Sequence, residues 1–350
     1  MDKATGKKER IPVNSKAKLD FYNLTKIRPY IMGLATILIV LFHLEIPDYS
    51  GSNILVNILL FIRNHGNIGV ELFLMASQIG CYFSFSKSEN KKEFYKRRFT
   101  KVFPLVLYIN AIWGVTYREL GIKNVLKIIT GIAFFTDGRR LYWYFIMLAF
   151  TYLVFPYIYS LSKKKEYYIW MLLVLTYVMN AIIKLCCPEL FGNTEILLRR
   201  MPAVLIGFML GKYAYSRKKQ NIFIYVFGMI FVILGCTVLV LTNSTLLGRY
   251  VYAYIALGII IILEMQYKFG VLPFKIMVEK IGIYSLEAYL LFEKVIKILE
   301  KSRCPKGSYY ITLNVIAIAI TALLCVLIHK FYNNILAAAS KSKKNTIDTE

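Results

Sequence analysis

Ile31-Met32-Gly33-Leu34-Ala35-Thr36-Ile37-Leu38-Ile39-Val40-Leu41-Phe42-His43 is apolar at every position except Thr36 and His43. With its flanks, 29–46, the run matches the ~20 residues a helix needs to cross ~30 Å of hydrocarbon. The residues before it, to about Lys26, are polar and basic, and too long and too charged for a secretory signal peptide. The run therefore reads as an uncleaved membrane span. Comparable runs follow at 66–86, 102–120, 141–162, 167–187, 198–215, 221–241, 247–267, 281–299 and 309–332, about ten spans in all. Two further apolar runs, 53–62 and 125–136, are too short to cross and read as interfacial or re-entrant helices.

Composition gives the same answer. Hydrophobic residues make up 57% of the 350 and charged residues 18%, with a mean hydropathy of +0.53. Soluble domains hold roughly 45–50% apolar and ~25% charged residues. A soluble core of this length cannot hide so much apolar surface, whereas a bilayer can. The fold expected is all-α and polytopic. A membrane domain over 28–333 would lie between a basic segment, 1–27, and a basic tail, 334–350, disordered from Ser340. The 27 tyrosines suit many membrane–water interfaces.

The net charge of +24 might suggest a nucleic-acid partner, but the basic residues fall in short clusters between apolar runs. With the N-terminus placed in the cytoplasm, the inner segments hold roughly twice as many basic residues as the outer ones, so both termini are expected inside. The bilayer is then the partner, and nucleic acid is not. Cys81, Cys186, Cys187, Cys236, Cys304 and Cys325 show no metal-ligand spacing. Most lie in apolar runs, where a thiol behaves as a small hydrophobe. No metal and no resident cofactor is expected.

A titratable group inside a span is costly and marks function by default. His43 lies near the outer end of the first span, and Glu71 about one turn inside the outer end of the second. Antiparallel spans would bring the two to similar depth. A carboxylate beside an imidazole fixes its tautomer, which makes a competent general base for a hydroxyl. A structural ion pair and a water-bridged contact are the plain alternatives. Gln78 lies seven residues beyond Glu71, on the same face, and could line the same cavity or bond a neighbouring helix. The stretch Phe94-Tyr95-Lys96-Arg97-Arg98-Phe99-Thr100-Lys101-Val102-Phe103-Pro104 is either a topogenic charge cluster or a phosphate site for a nucleotide-bearing donor.

Further along, Trp143 suits an aromatic belt or stacking on a sugar ring. Arg139, Arg140, Arg199 and Arg200 suit an anionic glycan, a lipid-linked phosphate or lipid headgroups. His65 reads as a solvated loop residue, and His329 as interfacial.

These residues, in this order, resemble the acyltransferase 3 family of membrane acyltransferases. The likeness rests on Leu34 to His43, on Gly69-Val70-Glu71-Leu72-Phe73, and on the basic block ending at Pro104. Leu141-Tyr142-Trp143-Tyr144-Phe145, Arg200-Met201-Pro202 and Gly282 to Leu290 extend it over about residues 25–332. No single motif is specific, but their order along the chain is. The resemblance implies transfer of an acyl group, usually acetyl, from cytoplasmic acyl-CoA as co-substrate to a sugar hydroxyl on a cell-envelope or exported glycan. It implies residence in the plasma membrane and an essential His43, here assisted by Glu71. Arg28, Arg97, Arg98 and Lys101 would hold the donor, and Gln78, Trp143, Arg140 and Arg200 the acceptor. Three positions depart from the family pattern. Met32 stands where a basic residue is usual, with Arg28 one turn nearer the cytoplasm and able to reach part of the way. Lys101 replaces an arginine, and Phe292 replaces a frequent histidine. A transporter or flippase, and a non-catalytic relative, are the other readings.

Overall fold

The computed structural model of the chain describes residues 21–46, 51, 53–116, 127, 130–138, 143–217, 221–242, 245–301 and 309–347. The described residues form helices and connecting turns. A short 3-10 turn, Phe21–Asn23, leads into α1 (Leu24–Phe42). There follow α2 (Ile54–His65), α3 (Ile68–Phe85), α4 (Lys91–Thr116), α5 (Ile132–Thr136), α6 (Trp143–Lys164) and α7 (Tyr167–Cys186). The chain continues through α8 (Pro188–Leu198), α9 (Met201–Ser216), α10 (Phe223–Thr242), α11 (Thr245–Lys268), α12 (Lys275–Ile283), α13 (Ser285–Lys301) and α14 (Tyr309–Ile347).

Among the described residues, seven helical segments are long and apolar enough to cross a bilayer: Phe21–Phe42, α3, α6, α7, α10, Gly248–Lys268 in α11 and Tyr310–Asn334 in α14. Three of the ten expected spans fall on helices outside that set, for identifiable reasons. The run 102–120 belongs to α4, whose first half is strongly basic. The run 198–215 shortens to the 16 residues of α9 because Arg200 and Pro202 fix its start. The run 281–299 is interrupted where α12 ends at Ile283 and α13 begins at Ser285, and α13 carries charges along its length. The helix α2 buries no residue and exposes Ile54, Leu55 and Leu59, as an interfacial helix would. The tail is not irregular from Ser340: α14 continues as helix to Ile347, since adding a residue to an existing helix costs far less than starting one.

The centre of the bundle is α3, nearly all of whose residues are buried, packed between α1, α9 and α11. By contrast α7, α10 and α14 turn apolar side chains outward, among them Trp170, Leu175, Phe227, Ile233, Ile311 and Leu323. That surface belongs against lipid tails and accounts for the unusual composition. Lipid tails are as apolar as the helices, so contact between spans depends on close fit. The fit is made by small residues. A Cβ on Gly207 of α9 would sit 2.5 Å from the Met75 Cα of α3. On Gly33 and Gly282 it would strike the Val278 and Pro29 carbonyls, so α1 and α12 touch backbone to backbone.

Gly207→Val should force α9 off α3 and destabilise the protein by about 1–3 kcal/mol. It would appear as a lowered melting temperature of the detergent-solubilised protein. Gly192→Ala, where a Cβ meets nothing within 4 Å, should leave that temperature unchanged or slightly raised.

Candidate active site

Two polar regions lie at opposite ends of α1. At the His43 end, a cavity of about 460 Å³ opens between α1, α3, α6 and α13. His43 closes α1 as its C-cap, its N–H bonded to the carbonyls of Ile39 and Val40. Asn67, Trp143, Arg249, Tyr289, Phe292, Glu293 and Lys297 line the same cavity. Glu293 forms an ion pair with Lys297 one turn further on, and its field acts on His43. His43 stands just beyond its span. Burial holds its imidazole below the ordinary histidine pKa, and the Glu293 carboxylate opposes that shift.

Behind the cavity lies Arg200. Asn67 and Glu71 are four residues apart on α3 and so present both acceptors on one face. Arg200 Nη1 donates to Glu71 Oε1 at 2.9 Å, and Nη2 to Asn67 Oδ1 at 2.9 Å. Both charged side chains are wholly buried. The guanidinium also lies over the Trp143 ring, 4.8 Å from its centroid. Arg200 is the N-cap of α9, where the helix dipole disfavours a cation. The two acceptors and the aromatic face offset that cost.

Glu71 therefore serves Arg200 rather than His43. The register between α1 and α3 explains why. Gly66 packs on Leu38 and Phe42, and Gly69 on Ala35 and Ile39. Glu71 then lies near the level of Ala35, about two turns or ~11 Å below His43. The carboxylate that shares the cavity with His43 is Glu293. Trp143 lines the cavity as well as carrying Arg200. Gln78 is buried against Gly207 of α9, away from the cavity, with its Nε2 unpartnered. Arg140 lies outside the described residues.

At the other end of α1, two arginines meet on Gly80 of α3. Arg98 of α4 donates to the Gly80 carbonyl at 2.6 Å and lies over the Phe94 and Tyr152 rings. The Arg28 guanidinium packs against the Gly80 Cα, where a Cβ would lie 3.0 Å from its Cζ. Lys101, three residues past Arg98, shares its helix face and lies within the field of both guanidiniums. The buried Nε atoms of Arg28 and Arg98 have no partner. The cluster thus gathers three cationic side chains at one end of α1. Arg97 points elsewhere, pairing with Glu93 at 3.3 Å and donating to Ser84 O and Ser88 Oγ. Adjacent helix positions are ~100° apart, so Arg97 and Arg98 cannot share a face.

Two histidines outside the cavity have partners of their own. His65 ends α2 and bonds the Tyr252 hydroxyl at 3.0 Å, its ring tilted against Phe61, because α2 lies on α1 and reaches α11. His329 bonds the buried Glu287 carboxylate at 2.7 Å, in a contact between α13 and α14. The residues missed from sequence, Glu293, Lys297 and Arg249, did leave a signal: charges within or beside an expected span.

The chain matches, over residues 30–330, the family model described as an acyltransferase domain. It belongs to the acyltransferase 3 family. Neither a curated protein nor a solved structure matches it. The acyltransferase is thus a multi-pass membrane protein whose matched domain includes His43 and Arg98 and begins two residues after Arg28.

The Arg200 joint can be tested directly. Arg200→Met should cost about 3–5 kcal/mol by leaving Glu71 buried without a counter-charge. Adding Glu71→Gln to it should recover much of that loss in melting experiments on the detergent-solubilised acyltransferase.

Proposed function

We propose that the protein is an O-acyltransferase of the plasma membrane that moves an acyl group, acetyl in the simplest case, from cytoplasmic acyl-CoA to a hydroxyl of a cell-envelope or exported polysaccharide. One observation carries the reading: a single helix, α1, bears a cationic cluster residue, Arg28, at one end and a cavity-facing imidazole, His43, at the other. The 15 intervening steps span about 22 Å of helix. An acyl-CoA has the same layout, with phosphates at one end of an extended arm and a thioester at the other.

In this reading Arg28, Arg98 and Lys101 supply the positive charge that holds the donor's phosphates. The acceptor sugar enters the cavity beside Trp143. His43, as the neutral imidazole, takes the proton of the acceptor hydroxyl as its oxygen attacks the thioester carbonyl. The carbon–sulfur bond breaks, the ester forms, and the proton passes to the departing CoA thiolate. Glu293 stabilises the imidazolium while it lasts. Arg200 stands behind this chamber and braces its lining residues Asn67 and Trp143, because Glu71 and Asn67 engage its two Nη groups.

His43→Ala, inserted at normal levels, should lower acyl transfer by roughly 10²–10⁴-fold. Mass analysis of envelope glycans should then show the loss of one acyl group per modified site; full activity in that variant would sink the reading. Arg98→Ala should raise KM for acyl-CoA with little change in kcat. A base must be unprotonated, so activity is present above the His43 pKa and lost as pH falls through it. Burial places that acid limb below ~6.5. Glu293→Gln removes the opposing charge and should move the limb lower still, measured as the rate–pH profile.

A further inference from the structure

The backbone that leaves His43 is gripped from two sides. A helix terminus leaves its last carbonyls without partners in the helix. Here the Leu44 carbonyl accepts a fork from Arg63 of α2, Nε at 3.3 Å and Nη2 at 2.9 Å. The next residue is held by Asn314 of α14. The Glu45 N–H donates to Asn314 Oδ1 at 3.1 Å, and the Glu45 carbonyl accepts from Nδ2 at 2.6 Å. An asparagine amide is one of few side chains able to match both groups of a residue's backbone, donor to acceptor and acceptor to donor. The setting makes it conspicuous. The neighbouring stretch of α14 turns Ile311, Val315 and Ile318 to the lipid side, and 269 residues separate Asn314 from Glu45. Arg63 is steadied in turn by Nη1 donating to Asn64 Oδ1 at 3.0 Å.

We propose that Arg63 and Asn314 are positioning residues for His43: by clamping the two residues after it, they set where the imidazole stands in the cavity. The inference rests on the reading of His43 as the general base. Its physical basis is that the imidazole hangs from the end of α1, where a helix frays unless its terminal groups are engaged. A displacement of about 1 Å in a reacting group can cost 10²-fold in rate. Arg63 and Asn314 belong neither to the basic cluster nor to the cavity lining, though the Arg63 charge bears on His43, so the clamp should govern turnover and leave donor binding alone.

The test uses membrane vesicles from cells producing the full chain, with their own envelope acceptor and added radiolabelled acetyl-CoA. Asn314→Leu and Arg63→Gln should lower the maximal incorporation rate by roughly 10–100-fold per inserted molecule, with KM for acetyl-CoA within about twofold of the parent. Asn314→Gln, which keeps both hydrogen-bonding groups, should recover part of the rate, and Asn314→Asp, which loses the donor, should recover less. A lowered rate explained wholly by less inserted protein, or a rise in KM at unchanged maximal rate, would overturn the proposal. If His43→Ala is inactive and Asn314→Leu fully active, the clamp is wrong and the base stands. If His43→Ala is fully active, the reading beneath it is wrong.

Discussion

A guanidinium buried in an apolar helix bundle must be paired, and Arg200 is paired three ways. Removing it from water costs several kcal/mol before any contact is made. That cost is offset only when Glu71, Asn67 and the Trp143 ring all stand in place. The requirement ties α3, α6 and α9 to one another at one depth, and Gly207 lets α9 approach closely enough to meet it. The cavity above inherits its back wall from this joint. Asn67 and Trp143 belong to both, so an ion pair outside the chamber's lining helps set the chamber's shape.

The two ends of α1 solve different problems. Near Arg28, cations are held close together by aromatic rings and by the bare backbone at Gly80, with buried N–H groups left over. Burying such groups without a partner is costly. Near His43, the charges are balanced: Glu293 pairs with Lys297, and Arg249 with Glu195 at 2.7 Å. The first region suits an anion and the second a polar, uncharged group undergoing proton transfer.

Much of this was legible in the residues. Apolar runs locate most of the helices, because a span must satisfy its backbone internally and bury its side chains in lipid. His43 stands out as a titratable group at the end of one such run, and the basic block after α3 as a cluster. What could not be read was pairing across the fold. Glu71 looked like the partner of His43 because both lie near span ends, but a shift of two turns between α1 and α3 separates them. Its true partner lies 129 positions away. Arg97 and Arg98 look equivalent in sequence and differ only in helix phase. Glu293 was overshadowed by its neighbour Phe292, which occupies the position where the family often has histidine.

The backbone contact of α1 with α12 has a mechanical meaning. With Gly33 against the Val278 carbonyl and Gly282 against that of Pro29, the two helices meet backbone to backbone at these two points. Sliding α1 along its axis would drive Leu34 or Met32 into the carbonyl now facing Gly33. The helix is a strut, not a piston. The distance between the two ends of α1 is then fixed by its packing on α12.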